Sequence, residues 1–290
     1  MSENNDAVTT PSSVQAAMAA PRVLKPADGW VHLDLARLWQ YRDLIRFFVI
    51  RDFQVRYRHT IIGFLWAVIK PLFAMVVFTI FFGGMAQMPS DGIPYYIFSF
   101  AGLVPWQLFS GALSTTASSI LKQSNTISKV YFPRLVSPIA TTLTGTIDFV
   151  IALVILLVMM ALAGFLPGWP ILAFPFFVLL ALLAALAFGL WLAALAVQFR
   201  DVPHMAPILL QAWVFATPIP YPTSKVPVEW QPVYFLNPMV AVVDGIRWSL
   251  LGTDTMPTLS LAISVSVTAV VLITGLYYFR RIEGRFADLI

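Results

Sequence analysis

Residues 42–84 read RDLIRFFVIRDFQVRYRHTIIGFLWAVIKPLFAMVVFTIFFGG, and along them the chain passes from one solvent to another. In the first part Arg42, Arg46, Arg51, Arg56 and Arg58 interrupt apolar residues at three- and four-residue spacing, among them Leu44, Ile45, Phe48, Val49 and Phe53. That spacing builds an amphipathic helix with a basic side, suited to lie in a membrane surface. From Phe64 to Gly84 the only charged residue is Lys70. About 20 apolar residues at 1.5 Å each cover the ~30 Å hydrocarbon layer of a bilayer. An interface helix feeding a membrane-spanning helix is the first expectation, with Lys70 snorkelling to the inner interface and Pro71 marking a kink.

Outward from this stretch the same length test selects Tyr95 to Leu121, Pro138 to Ala163, Ile171 to Phe199 and Thr258 to Phe279. Met205 to Pro220 is shorter and carries Pro207, Pro218 and Pro220, which reads as a broken sixth span. Prolines are tolerated there only where protein or water satisfies the freed backbone groups. Of 290 residues 59% are hydrophobic and 11% charged, with mean hydropathy +0.81. A soluble domain carries roughly 25% charged residues. The expected fold is therefore an all-α polytopic membrane protein of about six transmembrane helices. With both ends in the cytoplasm, 16 of the 18 basic residues fall inside, leaving Lys225 and Arg247 outside. The net charge of +4 then calls for no nucleic acid.

The chain divides into a disordered cytoplasmic tail over 1–29, an interface-helix region over 30–60 and a transmembrane domain over 61–290. Ala16 to Ala20 looks like a signal-peptidase site, but no basic or apolar run precedes it, so an uncleaved tail is expected.

Two further segments are neither spans nor plain turns. The connector Lys122 to Pro138 holds Asn125, Lys129, Tyr131, Phe132 and Arg134, which suit either a solvated basic loop or docking to a soluble partner. Residues 221–252 are too apolar for a wet loop and too interrupted for a span, so re-entrant outer helices are expected, with Asp244 and Arg247 three apart and able to pair. Asp148 falls near mid-membrane, where a carboxylate is costly. It is either protonated, bonded to Thr144 and Thr146, or held by another helix. Trp66, Phe73, Tyr95, Tyr96, Trp106 and Phe109 face lipid, pack, or offer stacking faces to sugar rings along a passage.

Several chemistries are missing from the sequence. There is no cysteine, and His32, His59 and His204 stand apart, so no metal site is expected. No GxxxxGK[ST] occurs to cradle ATP phosphates, and no HExxH, nucleophile elbow or paired-carboxylate constellation appears. The chain is read as a transport subunit without catalytic, cofactor-binding or metal residues.

The strings YRDLI at 41–45, RDFQVRYRHTIIGFLW at 51–66, KPL at 70–72, SNTISKVYFPR at 124–134, FRDV at 199–202, TPIPYP at 217–222 and LNP at 236–238 together resemble a family. In this order they are similar to the permease subunits of type-2 ABC exporters, in the branch exporting O-antigen, capsular polysaccharide and teichoic acid. The resemblance covers about Leu38 to Arg281 and departs at Ile62, where leucine commonly precedes the glycine, and in the long tail before Trp30.

It implies a homodimer around a channel in the bacterial inner membrane, two copies of a separate P-loop ATPase carrying ATP and Mg, and a lipid-linked glycan as substrate. Under that implication Arg51, Arg56, Arg58 and Lys70 receive the lipid-pyrophosphate head group, because guanidinium forks suit phosphate oxygens. The connector residues Asn125, Lys129, Tyr131, Phe132 and Arg134 dock the ATPase. The nearest alternative is a drug or lipid exporter of the same superfamily, and a more distant one a membrane-embedded glycosyl- or acyltransferase.

Overall fold

The computed structural model describes residues 35–57, 65–127, 129, 132–253, 256, 258–284 and 286. The tail over 1–29, Arg58 and Tyr131 lie outside the described residues, as does the side chain of Asn125. Among the described residues five helices are long and apolar enough to cross a membrane: Trp66–Met85, Tyr95–Ala117, Val136–Leu162, Trp169–Gln198 and Thr258–Glu283. No strand occurs among the described residues.

Two helices precede the spans, α1 (Leu35–Gln40) and α2 (Arg42–Tyr57). The first span is α3 (Trp66–Phe78), and it runs through Pro71; its irregularity comes later, where the winding widens to π geometry over Thr79–Met85. Next come α4 (Tyr95–Ala117) and the short turns α5 (Ser119–Lys122) and α6 (Ser124–Ile127), so the second span ends four residues before the expected Leu121. Helix α7 (Val136–Leu162) returns, and α8 (Phe174–Gln198) follows a 3-10 turn at Trp169–Ala173.

Helix α8 is the centre of the bundle, packed against α4, α12 (Thr258–Glu283) and the shorter α11 (Pro238–Leu251). Its alanines at 181, 184, 185, 187, 193, 194 and 196 are fully buried, and small residues let helix backbones approach closely without a hydrophobic gradient to drive them together. Hydroxyls join α4 to α7: Thr116 Oγ1 lies 2.8 Å from Thr142 Oγ1.

One end of the bundle gathers the C-termini of α4, α8 and α12 with the start of α7. There the Arg134 amide donates to Glu283 Oε1 at 3.2 Å, and Phe132, Val136, Val197 and Phe279 share one buried cluster. This end carries Lys122, Lys129, Arg134, Arg200, Arg280 and Arg281 and is the basic end.

The expected sixth span is only partly helical. Helix α9 (Val202–Trp213) has 12 residues, about 18 Å, well short of a ~30 Å crossing. It begins just beyond α8 at the basic end, and Trp213 meets Trp106 of α4 and Phe188 of α8 at ring separations of 6.5 and 5.2 Å. Turns then carry the chain to Pro220, whose carbonyl accepts from Tyr95 Oη at 2.8 Å at the opposite end of α4. Prolines at 218, 220 and 222 explain why helix does not continue, since each lacks an amide donor.

From there the chain turns back. Asn237 Nδ2 donates to the carbonyl of Ala216 at 2.9 Å, so α10 (Gln231–Tyr234) sits in a loop that re-enters the bundle before α11 climbs again to Trp248 beside Trp169. Asn237 caps α11 by accepting from the Met239 amide at 3.0 Å, Pro238 occupies its first position, and Gly252 closes it at φ 68°. A Cβ on Gly245 would sit 2.0 Å from the Phe177 ring, so α11 and α8 touch only because that position lacks a side chain. Gly245→Ala is expected to cost about 1–3 kcal/mol by forcing the ring aside, seen as a lower unfolding midpoint in detergent. An unchanged midpoint would mean that the contact is slack.

Candidate functional site at the basic end

One apolar side of α1 and α2 folds inward. Leu38 and Phe48 are buried, and Tyr41, Leu44, Ile45 and Val49 pack beside them, while Trp39, Phe47, Ile50 and Val55 remain exposed. Phe48 stands edge-on to Phe132, with centroids 5.7 Å apart. The other end of α2 reaches further along α7. Arg56 Nη1 donates to Asp148 Oδ2, and Tyr57 Oη donates to Asp148 Oδ1 at 2.6 Å. Asp148 lies twelve residues, about 18 Å, past the start of α7, so α2 climbs alongside α7 rather than staying at the basic surface.

The partners of Asp148 are on another helix, Arg56 and Tyr57 of α2. Its neighbours Thr144 and Thr146 do not serve it: Thr144 Oγ1 donates to the Ala140 carbonyl at 2.9 Å, and Thr146 Oγ1 makes no hydrogen bond. Burial, then the bond to Asp148, pushes the Tyr57 phenol up to about 12, so it remains a donor at every physiological pH.

Between α2, α4, α5 and α7 lies a cavity of about 460 Å³. Arg51, Arg56 and Lys122 line it together with Thr115, Ser119, Gln123, Thr141 and Thr144. Arg51 Nη2 is 2.7 Å from Asp52 Oδ1, and its guanidinium lies 4.6 Å from the Phe48 ring centre. The cavity thus holds three cations, two of them paired with carboxylates, beside a wall of hydroxyls. Arginine forks from α2 and an ammonium from α5 around one cavity suit a phosphate group, although the Asp52 carboxylate lines it too.

Of the four expected head-group residues, Arg51 and Arg56 meet in this cavity. Lys70 is exposed on α3 and does not line it, because a residue five into the span is carried away from α2. Lys122 is an ordinary inner-loop charge by sequence; only the fold of α5 against α7 brings it to line the same cavity as Arg51. Of the expected docking residues, Phe132 is 5% exposed and fills the gap between α2 and α7, and Arg134 is half-buried over the Phe286 ring at 5.5 Å. Lys129 is exposed.

The channel aromatics separate likewise. Trp106 and Phe109 are buried in the core against Trp213, and Tyr95 is half-buried and bonded to the Pro220 carbonyl. Trp66, Phe73 and Tyr96 are exposed.

At the opposite end, Asp244 and Arg247 border a second cavity of about 710 Å³ but do not form the expected ion pair. The reason is competition. The Arg247 guanidinium donates to the carbonyls of Phe98, Pro218 and Ile219, and Asp244 Oδ2 accepts from Thr223 Oγ1 at 2.6 Å. Burial raises the Asp244 carboxyl to about 6, against the lowering effect of the Thr223 hydroxyl and the Arg247 charge.

Comparison with known proteins matches residues 43–251 to the ABC-2 type transporter family. The chain is 35% identical over 258 residues to the O-antigen export system permease protein RfbA of Myxococcus xanthus, covering 87% of this chain and 97% of that protein. It is 25% identical over 254 residues to the protein of the same name from Klebsiella pneumoniae, covering 86% and 95%. It is 25% identical over 237 residues to the polysialic acid transport protein KpsM of Escherichia coli, covering 81% and 91%.

Proposed function

The chain belongs to the ABC-2 type transporter family, and from that premise we propose that it is the membrane permease of an ATP-driven exporter of lipid-linked polysaccharide. Two copies enclose the route in the bacterial inner membrane, with both termini on the cytoplasmic side. Two copies of a P-loop ATPase, carrying ATP and Mg, dock below at the basic end. Relatives named for O-antigen export and polysialic acid transport, aligned over nine-tenths or more of their length, support the substrate class. The outward face of the first span, with Phe73 and Val76 of α3 and Ile80 and Phe81 of the π-wound stretch after it uncovered, is available to lipid or to a second copy.

The observation that carries the reading is the cavity holding Arg51, Arg56 and Lys122 between the amphipathic helix and the spans. A polyprenyl diphosphate carries about two negative charges at the inner interface, and each cation there contributes roughly 1 kcal/mol of attraction before any specific bond forms. Helix α2 therefore both receives the head group and leans on α7, so motion of a docked ATPase against α2 reaches the substrate.

The purified chain alone is expected to hydrolyse no ATP; with its ATPase in proteoliposomes, hydrolysis and glycan export appear together. Arg51→Lys and Lys122→Gln should each raise the lipid-linked glycan concentration for half-maximal export by about tenfold, on the order of 1.4 kcal/mol. ATP hydrolysis by the isolated chain would sink the assignment, and wild-type export by both variants would sink the head-group site.

A further inference from the structure

The cavity of about 710 Å³ at the end opposite the basic one lies between the turn before α4, the loop around α10 and the link from α11 to α12. Asp91, Ser224 and Met256 on its lining are exposed, so its mouth is open. Three acceptor groups line it with capacity to spare. Asp244 is part-exposed, and among the described residues it accepts only from Thr223, at Oδ2, which leaves Oδ1 free. Gln231 donates from Nε2 to the Val226 carbonyl at 3.2 Å, and its Oε1 accepts from no described residue. Neither free oxygen is sealed from solvent. Asp91 sits in a turn pinned by Ser90 Oγ, which donates to the Ile93 carbonyl at 2.6 Å.

That lining selects its ligand by chemistry. An anion meets two carboxylates, and the cation among the lining residues, Arg247, commits four of its five N–H groups to backbone carbonyls. A bare metal ion is poorly served, because no three carboxylate or imidazole groups gather among the described residues, and Arg247 stands one turn from Asp244 on α11. Spare acceptors beside the hydroxyls of Thr223 and Ser224 suit a neutral group rich in O–H donors. The part-exposed Phe165 ring adds an apolar surface for the C–H face of a sugar. The volume is that of a small-ligand site. Phe98 lines this cavity and Thr115 the one holding Arg51, about 25 Å apart along α4.

We infer that this cavity binds the glycan itself once it has crossed, with Asp91, Asp244 and Gln231 accepting from sugar hydroxyls and Thr223 and Ser224 accepting or donating. This rests on the polysaccharide reading above. It adds a sugar site at the far end of the helix whose near end borders the diphosphate site.

The test uses the complex of this chain with its ATPase in nanodiscs, where both faces are open, and the lipid-free glycan that mild acid releases from the exported product. Calorimetric titration should show that the wild type binds it. Asp244→Asn keeps an oxygen for Thr223 and turns an amide N–H to the cavity, and Asp91→Gly suits the φ of 51° there. Each should weaken binding about tenfold. Unfolding midpoints report whether the variants fold, and Asp91, being exposed, carries the test if Asp244→Asn does not. Tetralysine, titrated in parallel, should not bind. If tetralysine binds, is lost in Asp244→Asn, and the glycan does not bind, the cavity belongs to a cationic partner and the inference is wrong. A complex that exports in proteoliposomes yet binds no released glycan, or binds it equally in wild type and variants, also overturns it and leaves the export reading standing. If the complex neither exports nor binds glycan, the two fall together.

Discussion

Replacing Asp148 by Leu is expected to reduce export at least tenfold, because the substitution takes from the Arg56 guanidinium its carboxylate partner on α7 and from the Tyr57 hydroxyl its bond to that helix. Removing one member of a fully buried pair costs about 3–5 kcal/mol. Here the side chains of Arg56 and Asp148 are 34% and 32% exposed, so solvent screening brings the figure to roughly 1–2 kcal/mol. The effect on transport is larger than the effect on stability suggests, since this pair is what fixes the last turn of α2 against the span. Asp148→Asn keeps an acceptor and loses the charge, and should fall between the two.

The exchanged pair, Arg56→Asp with Asp148→Arg, gives the decisive contrast. If the residues only hold the helices together, the exchange restores both the unfolding midpoint and export. If Arg56 also takes phosphate, the midpoint recovers and export does not, because the cation now stands on α7 outside the cavity. A single Asp148→Leu variant exporting at the wild-type rate would show that α2 is held by Phe48 and its neighbours alone.

Arg247→Leu should be the most damaging single change to assembly. The guanidinium makes four hydrogen bonds to three carbonyls and stacks 3.6 Å from the Phe98 ring centre, tying α11 to α4 and to the non-helical stretch at Pro218–Ile219. Leucine leaves the Pro218 and Ile219 carbonyls, which lie outside any helix, without their donor at about 1–3 kcal/mol each, against a total stability of only about 5–15 kcal/mol. Little folded protein should be recovered, measured as monodisperse material after extraction. Arg247→Lys should lie in between, since an ammonium on a flexible stem cannot span three acceptors as a planar fork does. Full recovery of Arg247→Leu would mean that the turn after α9 is held by other bonds.

What the sequence determined by itself is the set of properties that local pattern controls. Five spans were legible to within a few residues at most ends because an apolar run of the right length is a property of consecutive residues. The break at Pro218 and Pro220 was legible for the same reason, since missing amide donors stop a helix there; Pro207, read as part of that break, lies inside α9 instead.

Tertiary structure alone decided the partners. Arg56 and Asp148 are 92 residues apart, and nothing in either neighbourhood encodes their meeting. Phe132 looks like an exposed connector aromatic until α2 packs over it, and Asp244 with Arg247 looks like a pair until the carbonyls at 98, 218 and 219 outcompete the carboxylate. Lys122, Gln123 and Ser119 become parts of a cavity only once α5 folds beneath α7. Periodicity fixes which way a side chain points from its own helix. The depth at which another helix crosses it, and hence whether it finds a partner, is set by how the whole bundle packs.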